Sequence, residues 1–238
     1  MTTSKHRVLV TGASGYVATH CILQLLRAGY HVRGTVRSLA RGTTLRGVLL
    51  RELGPDGALI DNLEFAEADL SFDRGWQDAV RGSDSVLHIA SPVPNAPPKD
   101  PAAVIEPARD GTLRVLRAAE AEGVRRVVMT SSIAAVLYGH PRDGSRLYDE
   151  RDWSMLGADV GPYEQSKTQA ERAAWDYVDS LPPERGLELV VINPGVVLGP
   201  VMSDDYAVSV EVVRKLLARE APGCPSLGWA LTDVRDLA

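Results

Sequence analysis

Six short runs rich in β-branched and apolar residues alternate along this 238-residue chain with stretches of helical pattern, and this alternation narrows the possible folds more than any other feature. The runs are Arg7–Thr11, Tyr30–Val36, Asn62–Glu67, Ser85–Ile89, Arg126–Thr130 and Leu187–Ile192. Helical stretches fall between them at Gly15–Ala28, within Ser38–Leu53, and at Asp73–Arg81, Pro101–Glu122 and Gly161–Ser180. Val8-Leu9-Val10 and Val127-Val128-Met129 are apolar at consecutive positions, which suits strands covered on both faces. The expectation is an α/β fold, a doubly wound parallel sheet with helices on both faces. Gly29 and Gly123 sit where the first and fourth helices should stop.

Two stretches break this rhythm. Ser91–Pro101 holds five prolines, which remove backbone donors and fix φ, so it is irregular. It follows a strand directly and therefore lies at the carboxyl edge of the sheet, where such folds bind ligands. Leu137–Pro162 is long and mixed, and suits one wall of a substrate cleft. A net charge of −5 gives no general attraction to nucleic acid or to an anionic membrane. No segment is long and apolar enough to span a bilayer, and the first residues carry no signal-peptide core. Cys21 and Cys224 have no metal-ligand spacing and make no disulfide framework, so the default setting is the cytoplasm.

Val8-Leu9-Val10-Thr11-Gly12-Ala13-Ser14-Gly15-Tyr16-Val17-Ala18 reads as strand, glycine turn and helix start. Glycines there let backbone N–H groups approach a pyrophosphate, which also meets the positive end of the helix dipole. Ala18 takes the third small position, where helix and strand pack closely. At the end of the second run, an acid would bind both ribose hydroxyls and signal NAD. The chain instead reads Val32-Arg33-Gly34-Thr35-Val36-Arg37-Ser38, with Arg41 close behind. A guanidinium at Arg37 suits a 2′-phosphate, so the cofactor expected is NADP(H). Whether Arg37 or Arg41 carries that contact stays open.

Tyr163 and Lys167 are four residues apart, on one face of a helix. A cation beside a phenol favours the phenolate and lowers a pKa that is ordinarily ~10, giving an acid/base for alcohol and carbonyl chemistry. Ser131 and Ser132 follow the fifth strand, and only one can face a site if the strand continues. His88, inside a buried strand, is expected to be a satisfied core histidine, and Trp153 and Trp175 to be packing residues.

In this order, the residues resemble the extended short-chain dehydrogenase/reductases, with the dihydroflavonol-4-reductase-like aldehyde and ketone reductases as the look-alike branch. The resemblance implies a Rossmann-type domain over residues 1–200 and the start of a small substrate lobe over 201–238, the lobe being either reduced or incomplete. It implies cofactor contacts from Gly12, Ser14, Gly15, Tyr16, Val17 and Arg37. Asp69 and Leu70, then Ile89, Ala90 and Ser91, then Pro194, Val197 and Ser209 correspond to further contacts. Spacing from Val136 in Val128–Val136 matches Ser132 to the catalytic serine. Tyr163 and Lys167 fall on the Tyr-x-x-x-Lys and also touch the cofactor. The Asn-Trp-Tyr-Cys-Tyr run of cinnamoyl-CoA reductases is absent around Tyr163, and the Thr-Asp-Glu run of sugar-nucleotide dehydratases is absent after Thr130.

The function so implied is reversible NADPH-dependent reduction of an aldehyde or ketone to an alcohol. Tyr163 is the proton donor, Lys167 its tuner and a ligand of the nicotinamide ribose, and Ser132 the donor to the developing alkoxide. The partner is a small carbonyl or alcohol substrate, with no nucleic acid and no membrane; monomer and homodimer are both open. One alternative is an NDP-sugar epimerase or dehydratase holding NAD. Another is a non-enzymatic dinucleotide-binding sensor, which would need no Ser132, Tyr163 and Lys167 together.

Overall fold

The six apolar runs become six parallel strands: β1 (Arg7–Val10), β2 (His31–Val36), β3 (Leu63–Glu67), β4 (Ser85–His88), β5 (Arg126–Thr130) and β6 (Glu188–Ile192). The computed structural model describes residues 6–92, 100–141, 144, 146–157, 159–203, 207–220, 223 and 228–238. Residues 93–99 of the proline-rich run and Cys224 lie outside the described residues. The strand order is β3-β2-β1-β4-β5-β6. The chain winds outward from β1 to β3 and then returns to β4 on the other side of β1. The carboxyl ends of β1 and β4 therefore flank the point where the order reverses, the usual crevice for a ligand in such sheets.

The consecutive apolar residues of β1 show why the sheet is covered twice. Val8 and Val10 face Ala18, Ile22 and Leu26 of α1 (Tyr16–Arg27) and Leu45, Leu49 and Leu53 of α2 (Leu39–Leu53). Leu9 faces the other way, into a cluster built from α3 (Trp76–Val80), α4 (Ala102–Ala121) and α5 (Pro162–Asp179). Ala18, Ile22 and Leu26 recur every fourth residue, so one stripe of α1 is wholly buried. Gly29, at φ +83°, ends the helix with its N–H donating to the Leu26 carbonyl at 2.9 Å.

The third helix is shorter than the Asp73–Arg81 expected. Gly75 sits at φ +93° with the Glu67 carbonyl where a Cβ would go, so helical backbone begins only at Trp76. Beyond β6 the chain forms elements that short, unpatterned segments did not announce. A two-stranded parallel sheet pairs β7 (Val196–Leu198) with β8 (Leu231–Asp233). Helix α6 (Val208–Leu217) has no buried residue, and α7 (Val234–Leu237) starts at Asp233, which accepts from the Arg235 N–H at 2.8 Å. Val234 is fully buried, and Gln24 on α1 donates to the Arg235 carbonyl at 2.8 Å. These contacts stitch the last residues back onto the first helix.

Candidate active site

At the carboxyl end of β1 the glycine turn is fixed from both sides. The Ala13 N–H donates to the Thr35 carbonyl at 2.8 Å, and the Gly12 N–H donates to the Thr35 hydroxyl at 3.0 Å. Gly12 lies at φ +65°, and a Cβ there would come within 3.0 Å of the Ala90 Cβ. Glycine thus lets the loop lie against the end of β4. Gly15 is the N-cap of α1 and offers no side-chain cap, and the first turn contains no acid. The leading amides at Tyr16 and Val17 are left to meet an anion supplied from outside the helix.

The three arginines in and just after the second strand separate in the structure. Arg33 is committed to the scaffold: it pairs with Glu64 at 2.8 Å and donates to the carbonyls of Ala79 and Arg81. Arg37 and Arg41 are exposed on the loop and helix that follow β2. Asp69 and Leu70 form a fastened turn after β3. The Asp69 carboxylate accepts from the Ser71 N–H at 2.8 Å, Trp76 donates to the Asp69 carbonyl at 3.0 Å, and Arg114 donates to the Leu70 carbonyl at 2.8 Å.

A buried polar chain links β1, β4 and α4. Thr11 Oγ1 accepts from the N–H groups of Ile89 and Ala90, each at 3.0 Å, so both of its lone pairs are used. Its own proton must therefore go to His88 Nδ1, 3.0 Å away. That leaves the His88 proton on Nε2, donated to Thr112 Oγ1 at 3.2 Å, and Thr112 passes its proton to the Ala108 carbonyl at 2.9 Å. Every member is satisfied only when His88 is neutral. Burial, with the Lys167 charge adding to it, accordingly pushes His88 down to about 3. His88 is the satisfied core histidine expected, and Ile89 and Ala90 are held by its neighbour Thr11. Ser91, next in line, is half-buried.

The two serines after β5 part company. Ser131 is buried, with its N–H donating to the Ile192 carbonyl at 2.8 Å. Ser132 is half-buried and caps a 3₁₀ turn over Ile133–Ala135, its hydroxyl accepting from the Ala134 N–H at 3.1 Å. The same hydroxyl acts on the phenol of Tyr163, on the first turn of α5, favouring its ionised form. One turn further along α5, Lys167 is buried at 6% exposure, and Glu171 follows at the same exposure. Asn193, in the turn between β6 and β7, donates from Nδ2 to the Glu171 carboxylate at 2.8 Å and to the Ser132 carbonyl at 3.1 Å. Pro194, beside it, accepts from the Ile133 N–H at 3.0 Å.

The electrostatics differ from the expected effect of Lys167. Burial raises the Tyr163 pKa above its ordinary value, and the Ser132 hydroxyl opposes that rise, with Glu164 and Tyr138 adding to it. Lys167 is not among the groups acting on the phenol. Its ammonium is lowered by burial to about 8, and Glu171 pulls it back upward. Four-residue spacing puts the two side chains on one helix face, but the buried lysine charge is answered by the next residue along that face.

Val197 lies on β7, and the Ser209 hydroxyl on α6 donates to the Val197 carbonyl at 2.6 Å. The Ser209 side chain thus holds α6 to β7. Buried Ser154 anchors the Leu137–Pro162 segment, donating to the Ala134 carbonyl and accepting from the Tyr138 N–H, both at 2.8 Å. Trp153 stacks under Arg172, whose guanidinium is 5.0 Å from the ring centre, and Trp175 packs on the core. Among the described residues no His, Cys, Asp and Glu cluster could hold a metal ion, and no helix is long and apolar enough to cross a membrane. Glu171 and Asn193 were missed as site residues. The available signal was a charged residue on the buried face of α5, in phase with Tyr163 and Lys167.

A parallel sheet wound in both directions, with a glycine turn opening onto α1 at its switch point, defines a Rossmann-type domain. More particularly, the chain belongs to the NAD dependent epimerase/dehydratase family, which it matches over residues 8–238, and so to the extended short-chain dehydrogenase/reductases. It is 39% identical over 234 residues to cinnamoyl-CoA reductase 1 of Petunia hybrida, covering 97% of this chain and 66% of that protein. It is 38% identical over 209 residues to dihydroflavonol 4-reductase of Arabidopsis thaliana, covering 84% and 51%. The cinnamoyl-CoA reductase is as similar in identity and is matched over more of this chain, 97% against 84%, so the absence of the Asn-Trp-Tyr-Cys-Tyr run does not set the cinnamoyl-CoA reductases apart. The crystal structure of yeast methylglyoxal/isovaleraldehyde reductase complexed with NADPH superposes with a TM-score of 0.82 at 29% identity, covering 97% of this chain and 71% of that one. The chain spans about two thirds of the length of the cinnamoyl-CoA reductases it matches.

Proposed function

We propose that this chain forms the cofactor-binding and catalytic part of an NADPH-dependent reductase that converts aldehydes or ketones to alcohols. The observation that carries the reading is that the Ser132 hydroxyl, at the carboxyl end of β5, acts on the Tyr163 phenol and opposes the rise that burial gives it. The names of the relatives support it, each being a reductase, and the yeast structure is an NADPH complex. Residues 1–200 would carry cofactor and chemistry, and 201–238 the start of a substrate lobe. A reducing cytoplasm is the setting we assign.

The residues present fit a dinucleotide. Gly12 leaves open the space a Cβ would fill beside Ala90, and α1 begins without a cap or an acid of its own. Gly12, Ser14, Gly15, Tyr16 and Val17 would hold the pyrophosphate, and Arg37 or Arg41 the 2′-phosphate. Asp69 and Leu70 would flank the adenine. Ile89, Ala90, Ser91, Pro194 and Val197 would line the nicotinamide half, with Lys167 on its ribose and Ser209 fixing the Val197 backbone. NADPH, when bound, supplies the hydride.

The protein's own part is the proton. A phenol whose pKa is raised keeps its hydrogen at neutral pH, as a donor to a carbonyl oxygen must. Tyr163 transfers that proton to the substrate oxygen as charge gathers there. The Ser132 oxygen accepts from the Ala134 N–H, and its own hydrogen remains to be donated to an oxygen placed beside the phenol. Lys167, at about 8, keeps a positive charge at neutral pH.

The test is oxidation of NADPH and NADH, followed at the nicotinamide absorbance, with methylglyoxal, isovaleraldehyde and cinnamoyl-CoA as substrates. Tyr163→Phe should lower kcat by ~10²-fold or more, with NADPH affinity changed by less than about threefold. Near-normal turnover in that variant would remove Tyr163 from the acid role. No oxidation of either cofactor by the full-length protein would remove the reductase reading, and isolation with tightly held NAD would favour an epimerase or dehydratase.

A further inference from the structure

Lys167 is a buried cation, and burying a charge is costly unless an opposite charge and hydrogen bonds answer it. Among the described residues no carboxylate lies within 4.0 Å of the Lys167 ammonium; the acid whose charge favours it is Glu171, one turn along the same buried face of α5, while His88 on β4 feels its charge as repulsion. His88 is locked in the neutral form by Thr11 and Thr112, and a proton on it would only add a second positive charge beside Lys167. The compensation therefore falls to Glu171. That carboxylate is also fastened: Asn193 Nδ2 spends one hydrogen on it and the other on the Ser132 carbonyl. Two acceptors on one amide nitrogen also fix which way the Asn193 side chain points.

We propose that Glu171 is a positioning residue for the reduction: its carboxylate is the counter-charge of the Lys167 ammonium and, through Asn193, the fastening that ties α5 to the Ser132 backbone and the Pro194 turn. Three separate segments, the end of β5, one face of α5 and the β6–β7 turn, meet at this carboxylate and amide. Glu171 touches no reacting atom. It acts through Lys167 and through the placement of Ser132. The inference rests on the reductase reading for its kinetic arm and on the fold alone for its stability arm.

The substitutions separate charge from fastening. Glu171→Gln keeps an oxygen for Asn193 but removes the charge, and Asn193→Ala keeps the charge but removes the fastening. With the charge gone, burial of Lys167 is unopposed, and its pKa drops further below about 8. The alkaline limb of kcat for NADPH oxidation with an aldehyde that the wild type reduces should move down by about one unit, roughly a tenfold loss above the limb and little loss at pH 6. Asn193→Ala should lower kcat roughly fivefold at every pH, with the limb unmoved, as expected when an orienting contact is lost. Glu171→Asp retains the charge on a shorter arm, and its limb should stay near that of the wild type.

A second measurement needs no turnover. The folded-state pKa of Lys167 lies below its unfolded value of ~10.4, so stability linked to this group rises as pH climbs through about 8. In Glu171→Gln that rise begins at lower pH. The melting-temperature gap between wild type and Glu171→Gln should therefore be larger at pH 6.5 than at pH ~9.5. A limb and a melting gap both unchanged with pH would overturn the proposal. Should Glu171→Gln not fold, a limb lowered by a full unit in Glu171→Asp would overturn it as well. If the wild type turns over no carbonyl, the reductase reading falls and the melting comparison alone decides this proposal.

Discussion

His88 should make this protein lose stability in mild acid in a way that one substitution removes. Its neutral form is required by the chain of bonds from Ile89 and Ala90 through Thr11 and Thr112 to Ala108. Protonating Nδ1 would turn an acceptor into a donor facing an oxygen whose lone pairs are already used. The folded-state pKa is pushed down to about 3 from an ordinary 6.5. Because the folded value is depressed, the unfolded chain binds the extra proton first, and stability is lost as pH falls from ~6.5 towards 3. The gap of about 3.5 units corresponds to about 5 kcal/mol when the loss is complete, at ~1.4 kcal/mol per unit. At pH 5 the share already lost is about 2 kcal/mol, a sizeable part of a typical ~5–15 kcal/mol total. Urea unfolding followed by circular dichroism, at pH 8 and pH 5, measures this directly. His88→Gln will lower stability at both values, but its drop between them should be about 2 kcal/mol smaller than that of the wild type. Equal drops in the two proteins would refute the locked neutral histidine.

Arg37→Ala should raise the Kd for NADPH by roughly 10- to 100-fold, the worth of a charge-assisted hydrogen bond, and leave NADH binding nearly unchanged. An effect confined to Arg41→Ala instead would move the 2′-phosphate contact to that residue. Gly12→Ala forces an L-residue into φ +65° and brings a Cβ within 3.0 Å of Ala90. A loss of ~1–2 kcal/mol in urea unfolding is expected from the backbone alone, together with weakened NADPH binding; unchanged values for both would show that the loop is not pressed against β4.

The alternation of apolar runs and helical patterns settled the sheet. Strands buried on both faces with helices between them leave few arrangements, and the strand limits fell within a residue or so of the patterned runs. Gly12 and Gly15 were legible because only a glycine turn combines that backbone freedom with the start of a helix. The short strands β7 and β8 were not legible. Each has three residues, and they pair across more than thirty positions of chain, so no local period marks them.

Tyr163, Lys167 and Ser132 could be named from spacing and resemblance, since a four-residue step fixes a common helix face. Their electrical states could not. The phenol is raised because its surroundings are buried, and Lys167 answers to Glu171 because α5 turns that face into the interior against Asn193. His88 is neutral because Thr11 has no lone pair left for it, a fact that depends on residues 77 positions apart in sequence. The sequence alone named Ser132, Tyr163 and Lys167 as candidates and the elements on which they ride. The tertiary structure decided which of them carry charge, because burial and the direction of each shared proton are set by neighbours that meet only when the sheet closes.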